Sequence, residues 1–238
     1  MPTYRHEALA TVFRITIDAD ADQPAEGSAH RVGRLTVLAW RRDRDPHAGC
    51  WALPSGPVEA DETLGASVAR HLASKVDLDE IAHLEQLETR SDPHRDPSQR
   101  TIATAYLGLL PSTAHPELPA NAAWLDAGAL PSMAFDHASI IESATGRLRR
   151  KLSYTNLGFA LAPATFTISQ LRDLYAAALG YQLSATNLQR VLSRRGQLVA
   201  TGATASPTRA GGRPPQLFRF TRHEAEITDP FAVLRPGR

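Results

Sequence analysis

The sequence predicts a mixed-sheet α/β (α+β) domain followed by a small C-terminal module of helix, turn, helix and two-stranded hairpin. Two observations predict it. Strand-like and helix-like runs alternate through the first part of the chain, which implies helices packed on a sheet. Charge is also split: residues 1–150 hold 15 Lys+Arg against 21 Asp+Glu, whereas residues 151–238 hold 11 against 4. An acidic part joined to a basic part implies two modules, with a polyanion meeting the second.

Glu7–Ile17 and Arg34–Arg41 are rich in Val, Ile, Thr and Leu and read as strands. The acidic stretch Asp18–Gly33 between them reads as a loop. Arg42–Pro57 carries Asp45-Pro46-His47 and Pro54-Ser55-Gly56-Pro57 and reads as an irregular connection. A helix is expected from Glu62 to Val76, where Leu64, Val68, Leu72 and Val76 form one i, i+4 stripe. Ile81–Thr89 and Arg100–Leu110 read as strands around a Ser91–Gln99 loop. A short strand at Ala123–Leu125 and a helix from His137 to Leu152 complete a first domain of residues 1–152.

The second domain, residues 153–238, opens with Thr167-Ile-Ser-Gln170, the pattern of a capping box at a helix start. Leu171, Leu174, Ala178 and Leu179 give that helix an apolar face, and Gly180 suits its C-terminal cap. Ser184 caps a second helix, Ala185–Arg195, closed by Gly196. The strands Gln197–Thr201 and Gln216–Phe220 flank a Gly/Pro/Thr-rich loop. That order is the winged helix-turn-helix order.

Composition narrows the function classes. A hydrophobic content of 42% suffices for packed cores. The single cysteine, Cys50, leaves no intrachain disulfide and fits a reducing compartment. Met1–Asp18 has no apolar leader core, and no later run has the length of a membrane span. A soluble, cytoplasmic protein with no membrane partner is expected. The nine histidines show no ligand spacing, so neither a zinc site nor any other metal or cofactor is expected.

The motif with chemical content lies between Trp51 and Leu78. It resembles a Nudix box, G-x5-E-x7-R-E-U-x-E-E-x-G-U with U a bulky aliphatic. Gly56, Glu62, Arg70, Leu72 and Leu78 match at the right spacing. The acidic positions after the arginine hold His71, Ser74 and Lys75, and the late glycine is Asp77. Nudix enzymes gather divalent metals on carboxylates of one helix face to split a diphosphate. A lysine ammonium where a cation must sit, beside a serine, removes that chemistry and leaves the scaffold. The resemblance thus implies a binding domain with no catalytic residues. An ordinary amphipathic helix is the competing account of the same residues, and Trp51-Ala-Leu-Pro54 before the glycine counts against it.

Nearly the whole chain, from about Val32 to Phe220, is similar to the Nudix-related transcriptional regulators of NAD metabolism, the NrtR type. Asp92-Pro-His-Arg-Asp-Pro97, Phe135-Asp-His137, Arg147–Thr155 and Gly211-Gly-Arg-Pro214 with Phe218-Arg-Phe220 extend the resemblance beyond the box. It implies a homodimeric repressor of NAD biosynthesis or salvage genes that binds a palindromic double-stranded operator and senses ADP-ribose or a related nucleotide.

For DNA, the exposed face of the second helix offers Thr186, Asn187, Gln189, Arg190 and Arg194 to bases and phosphates. Arg213 is placed in the wing, where arginine can enter a narrow minor groove. Thr167 and Ser169 are phosphate candidates at a helix N-terminus, although capping alone accounts for them. For the effector, Arg41, Arg42, Arg95 and Arg100 are candidates for a diphosphate, with Gly56, Glu62 and Arg70 shaping the box. Trp51 is read as a core residue rather than a stacking platform. Three alternatives remain open, one of them a protein-interaction domain whose binding would be independent of nucleic acid and insensitive to salt. A working Nudix hydrolase would need Glu59, Asp61, Glu62 or Glu85 to hold metal, and an RNA-binding module would need stacking aromatics that residues 184–215 lack.

Overall fold

The computed structural model describes residues 4–17, 33–206, 214–229 and 231. Its contacts gather into two compact units, one of Met1–Arg14, Leu35–Leu110 and Ala114–Arg147, the other of Ile15–Arg34, Pro111–Thr113 and Leu148–Arg238.

In the first unit, β1 (Arg5–Ile17) runs centrally in a mixed sheet with β2 (Gly33–Arg41) on one side and β6 (Thr101–Leu109) on the other. Ala8 to Phe13 are buried without a break, which explains why β1 lacks polar alternation: both its faces are covered. β1 and β6 pair in parallel, from Arg5 opposite Thr101 to Phe13 opposite Leu109. β5 (His83–Arg90) pairs antiparallel with β6 and carries a bulge between Gln86 and Glu88. β3 (Trp51–Ala52) and β7 (Ala122–Asp126) pair antiparallel with β2. β4 (Ser55–Pro57) lies antiparallel on β1, setting Gly56 opposite Ala8. The stretch read as an irregular connection therefore contains two short strands. At two and three residues they are too brief for periodicity to reveal.

The box helix is α1 (Leu64–Val76). It begins one residue later than Thr63, whose hydroxyl accepts from the Ala66 amide at 3.2 Å. Glu62, expected as the helix start, instead turns its side chain toward Arg70. Val68, Leu72 and Val76 are buried as the stripe predicts, each stabilising by roughly 1.5–3 kcal/mol. Asp77 closes the helix in the left-handed region at φ 53°. That backbone explains the glycine of the motif, and aspartate is among the few residues that tolerate it.

The chain passes from the first unit to the second within α2 (His137–Tyr154). A 3-10 turn, Leu157–Ala160, follows. Here Gly158 has to be glycine, since a Cβ would fall 2.8 Å from the buried Tyr175 ring. α3 (Ile168–Leu179) starts at a complete capping box: Gln170 donates its amide N–H to Thr167 Oγ1, and its side-chain carbonyl accepts from the Thr167 N–H at 2.8 Å. Gly180, at φ 83°, ends α3. Ser184 caps α4 (Ala185–Arg194), and the hairpin of β8 (Leu198–Thr204) and β9 (Gln216–Phe220) follows. β8 runs three residues past the expected Thr201, through Gly202 at φ 82° and a register shift, so a bulged strand occupies the start of the presumed loop. Phe166 extends the hairpin by exchanging backbone hydrogen bonds with Phe218 and stacks 5.4 Å from Phe220. Asp18–Val32 and the wing residues 207–213, Arg213 among them, lie outside the described residues. No described helix is long and apolar enough to cross a membrane.

Candidate functional site

The first unit contains a cleft of about 340 Å³ over the box. Its floor is Ser55, Gly56 and Pro57 of β4 with His71 and Lys75 of α1, and its rim carries Arg5, Arg42, Arg44 and Phe135.

The box loop is tied down from within. Arg70 Nε donates to Glu62 Oε2 at 2.9 Å, and its Nη2 donates to the Pro57 carbonyl at 3.0 Å. Glu62 Oε1 also accepts from the Glu59 amide at 2.8 Å. A carboxylate bridging a backbone N–H and a guanidinium is a strong clamp, and it holds the Glu62 carboxyl down at about 2. Glu62 and Arg70 therefore lock loop to helix, and neither lines the cleft.

The residues at the missing acidic positions have other work. His71 is buried, its Nε2 lying 3.1 Å from the Pro57 carbonyl and its ring against Gly56, and burial pushes its pKa down. Ser74 is exposed. Lys75 sets its Nζ over the Trp40 ring, 3.9 Å from the centroid. Two of the three carboxylates that line the cleft, Glu7 and Asp96 but not Asp45, are committed as well. Glu7 faces Arg5 at 3.7 Å and Arg95 at 3.4 Å, while Asp96 accepts from Ser98 and Thr101. Among the described residues no three His, Cys, Asp or Glu side chains assemble into a metal-holding group. This donor set does not fit the divalent cluster of the Nudix motif, because an ammonium stands at one of its ligand positions.

Of the arginines singled out from the sequence, Arg42 lines the cleft, stacked 4.9 Å over Phe135 with its Nε donating to the Pro46 carbonyl. Arg41 is exposed and donates to the Gly49 carbonyl. Arg95 is 2% exposed and held by Asp136 at 2.8 Å and by Glu7. Arg100 donates to the Asp92 carbonyl and covers Tyr4. None of these three lines the cleft. Trp51 is half-buried on β3, also away from it. Sequence reasoning missed Arg5, Arg44, Trp40 and Phe135. Phe135 adopts φ 52°, an outlier for a bulky residue that marks a constrained site. Its neighbours fix it: the Ala134 amide donates to the Trp51 carbonyl, and the Leu53 amide donates to buried His137 Nδ1.

In the second unit, α4 buries Leu188 and Leu192 and exposes Thr186, Asn187, Arg190 and Arg194, with Gln189 half-exposed beside them. Arg190 Nη2 donates to Asn187 Oδ1 at 2.8 Å, fixing both polar heads on the solvent face. Thr167 is buried in its capping box, whereas Ser169 is exposed one position into α3.

Residues 29–144 match the model of the NUDIX domain, and residues 158–220 match that of the NrtR DNA-binding winged helix domain. The ADPR-responsive transcriptional repressor NtrR of Acinetobacter baylyi is 30% identical over 211 residues, covering 86% of this chain and 83% of that protein. The chain belongs to the NrtR family. Its fold agrees: the crystal structure of Shewanella oneidensis NrtR complexed with a 27mer DNA superposes with a TM-score of 0.70 at 26% identity, covering 90% of this chain and 93% of that one. An ADP-ribose pyrophosphatase of Methanocaldococcus jannaschii is 33% identical over 112 residues, 44% of this chain and 63% of that protein. This NrtR family member is thus a Nudix domain with a mixed sheet joined to a C-terminal winged helix.

Proposed function

We propose that this chain is an ADP-ribose-responsive transcriptional repressor of NAD-metabolism genes. Residues 1–152 sense the nucleotide in the cleft above Gly56, and residues 153–238 bind a palindromic operator as one half of a cytoplasmic homodimer. The observation that carries the reading is the similarity to the Acinetobacter repressor, which spans both domains rather than the Nudix part alone. The exposed face of α4 supports it chemically: Asn and Gln can pair with adenine, and Arg with guanine or phosphate. Binding of the full chain to DNA from its own upstream region, against random DNA at two salt concentrations, tests this half. Selective, salt-sensitive binding is expected; equal binding to random DNA contradicts it.

The second reading, a nucleotide diphosphate hydrolase, draws on the pyrophosphatase similarity. The donor set opposes it. Glu59 and Glu62 serve Arg70, Glu85 faces His83 and Arg147, and Asp61 is exposed; none of the four lines the cleft. Release of AMP from ADP-ribose with Mg²⁺ or Mn²⁺ would restore this reading.

A further inference from the structure

We propose that the Lys75 ammonium stands in for the divalent cation of the Nudix motif, so that a nucleoside diphosphate is held in this cleft by Lys75, Arg42 and Arg44 without metal. The inference rests on the cleft being the effector site and adds how that site binds.

Lys75 occupies the last of the three acidic positions of the box, yet its side chain is oriented rather than free. Its Nζ sits over Trp40, whose indole is itself buried and donates from Nε1 to the Leu53 carbonyl at 3.3 Å. A cation over a rigid indole face is positioned by the ring quadrupole, so the ammonium stays in the cleft instead of extending to solvent. Arg42 is fixed in the same way by Phe135 and the Pro46 carbonyl. Arg44 completes the group at the rim.

Four cations, Arg5, Arg42, Arg44 and Lys75, line the cleft with three carboxylates, Glu7, Asp45 and Asp96. Glu7 faces Arg5 and Arg95, Asp96 accepts from Ser98 and Thr101, and Arg44 keeps an exposed contact with Asp43. Burial, then the charges of Arg44 and Arg42, push the Lys75 pKa below its ordinary value, while Glu7 and Asp43 act the other way. Among the described residues no carboxylate pairs with Lys75. Like charges drawn together in a half-buried cleft favour an incoming polyvalent anion, and two linked phosphates match three cations. An ammonium also differs from a metal in what it lacks. It supplies charge and three donors, but it coordinates no water and generates no hydroxide nucleophile. Holding the diphosphate with Lys75 therefore permits sensing without cleavage.

Isothermal titration calorimetry of the full chain with ADP-ribose, in excess EDTA and again in Mg²⁺, tests the proposal. Wild type should bind with the same Kd in both buffers, within about twofold. Lys75→Met keeps the aliphatic stem on Trp40 and removes the charge. It should weaken binding by about tenfold or more in both buffers while leaving the Tm close to wild type. Wild-type binding that requires Mg²⁺ overturns the proposal and leaves the effector reading standing. The same follows if wild type binds in EDTA but Lys75→Met binds equally well. Absence of ADP-ribose binding in either buffer overturns both.

Discussion

The His71 ring rests against Gly56, so that a Cβ built on that glycine would fall 2.6 Å from Nε2 and 2.8 Å from Nδ1. The box glycine is thus the floor on which the histidine of α1 lies, and the His71–Pro57 contact prevents the ring from swinging aside.

Gly56→Ala should therefore destabilise the first unit by about 1–3 kcal/mol, the usual cost of overpacking a filled site. Differential scanning calorimetry should show a Tm lowered by several degrees. Adding His71→Ala should recover part of the loss, because the clash has one named partner. Additive effects of the two substitutions would show that the glycine matters for another reason.

The Glu62–Arg70 clamp predicts a defined acid sensitivity. Arg70 depresses the Glu62 carboxyl from an ordinary 4.5 to about 2. A depressed carboxyl contributes stability above its unfolded pKa and loses it as pH falls through the folded one. Thermal melts of wild type and Glu62→Gln should differ fully above about pH 4.5 and converge as pH approaches 2. A constant difference across that window would mean the clamp does not depend on charge.

Much of this architecture was legible in the sequence, for identifiable reasons. The stripe of Val68, Leu72 and Val76, the Thr167–Gln170 capping box and the α4 boundaries are local patterns, set by residues within one or two turns. The cleft over the box was read less well. Arg95 looked like a phosphate ligand because its loop is polar, but Asp136, 41 residues away, and Glu7, 88 away, hold it inside. Trp40 and Phe135 reach the cleft through strand pairing and a positive φ, which no spacing rule announces. Of the effector candidates named from the sequence, only Gly56 and Arg42 line the cleft; Lys75 entered the reading as the residue that displaces a metal, not as a ligand.

Asp77 offers a gain of stability. It sits at the helix C-cap at φ 53°, and its N–H bonds back to Ala73 and Leu72 carbonyls. Asp77→Gly restores the residue that backbone favours and should stabilise by about 0.5–1 kcal/mol, a rise of roughly 2–4 °C in Tm. An unchanged or lower Tm would show that the aspartate side chain compensates its own backbone.

On α4 the paired Asn187 and Arg190 predict base recognition, whereas Arg194 near the helix end predicts phosphate contact. Arg190→Ala should reduce operator affinity by roughly 10–100-fold and relax sequence preference. Arg194→Ala should weaken all sequences alike and lower the salt slope by about 1. Electrophoretic mobility shifts on operator and scrambled DNA distinguish the two. Equal losses on both DNAs for Arg190→Ala would remove it from base readout.

The claim that joins the two domains is that a nucleotide in the cleft controls the winged helix. Fluorescence anisotropy of a labelled operator fragment, saturated with the full chain and titrated with ADP-ribose, tests it most directly. Anisotropy falling to that of free DNA over the concentration range in which ADP-ribose binds the protein is the predicted result. A complex that stays intact while ADP-ribose demonstrably occupies the cleft would contradict the account.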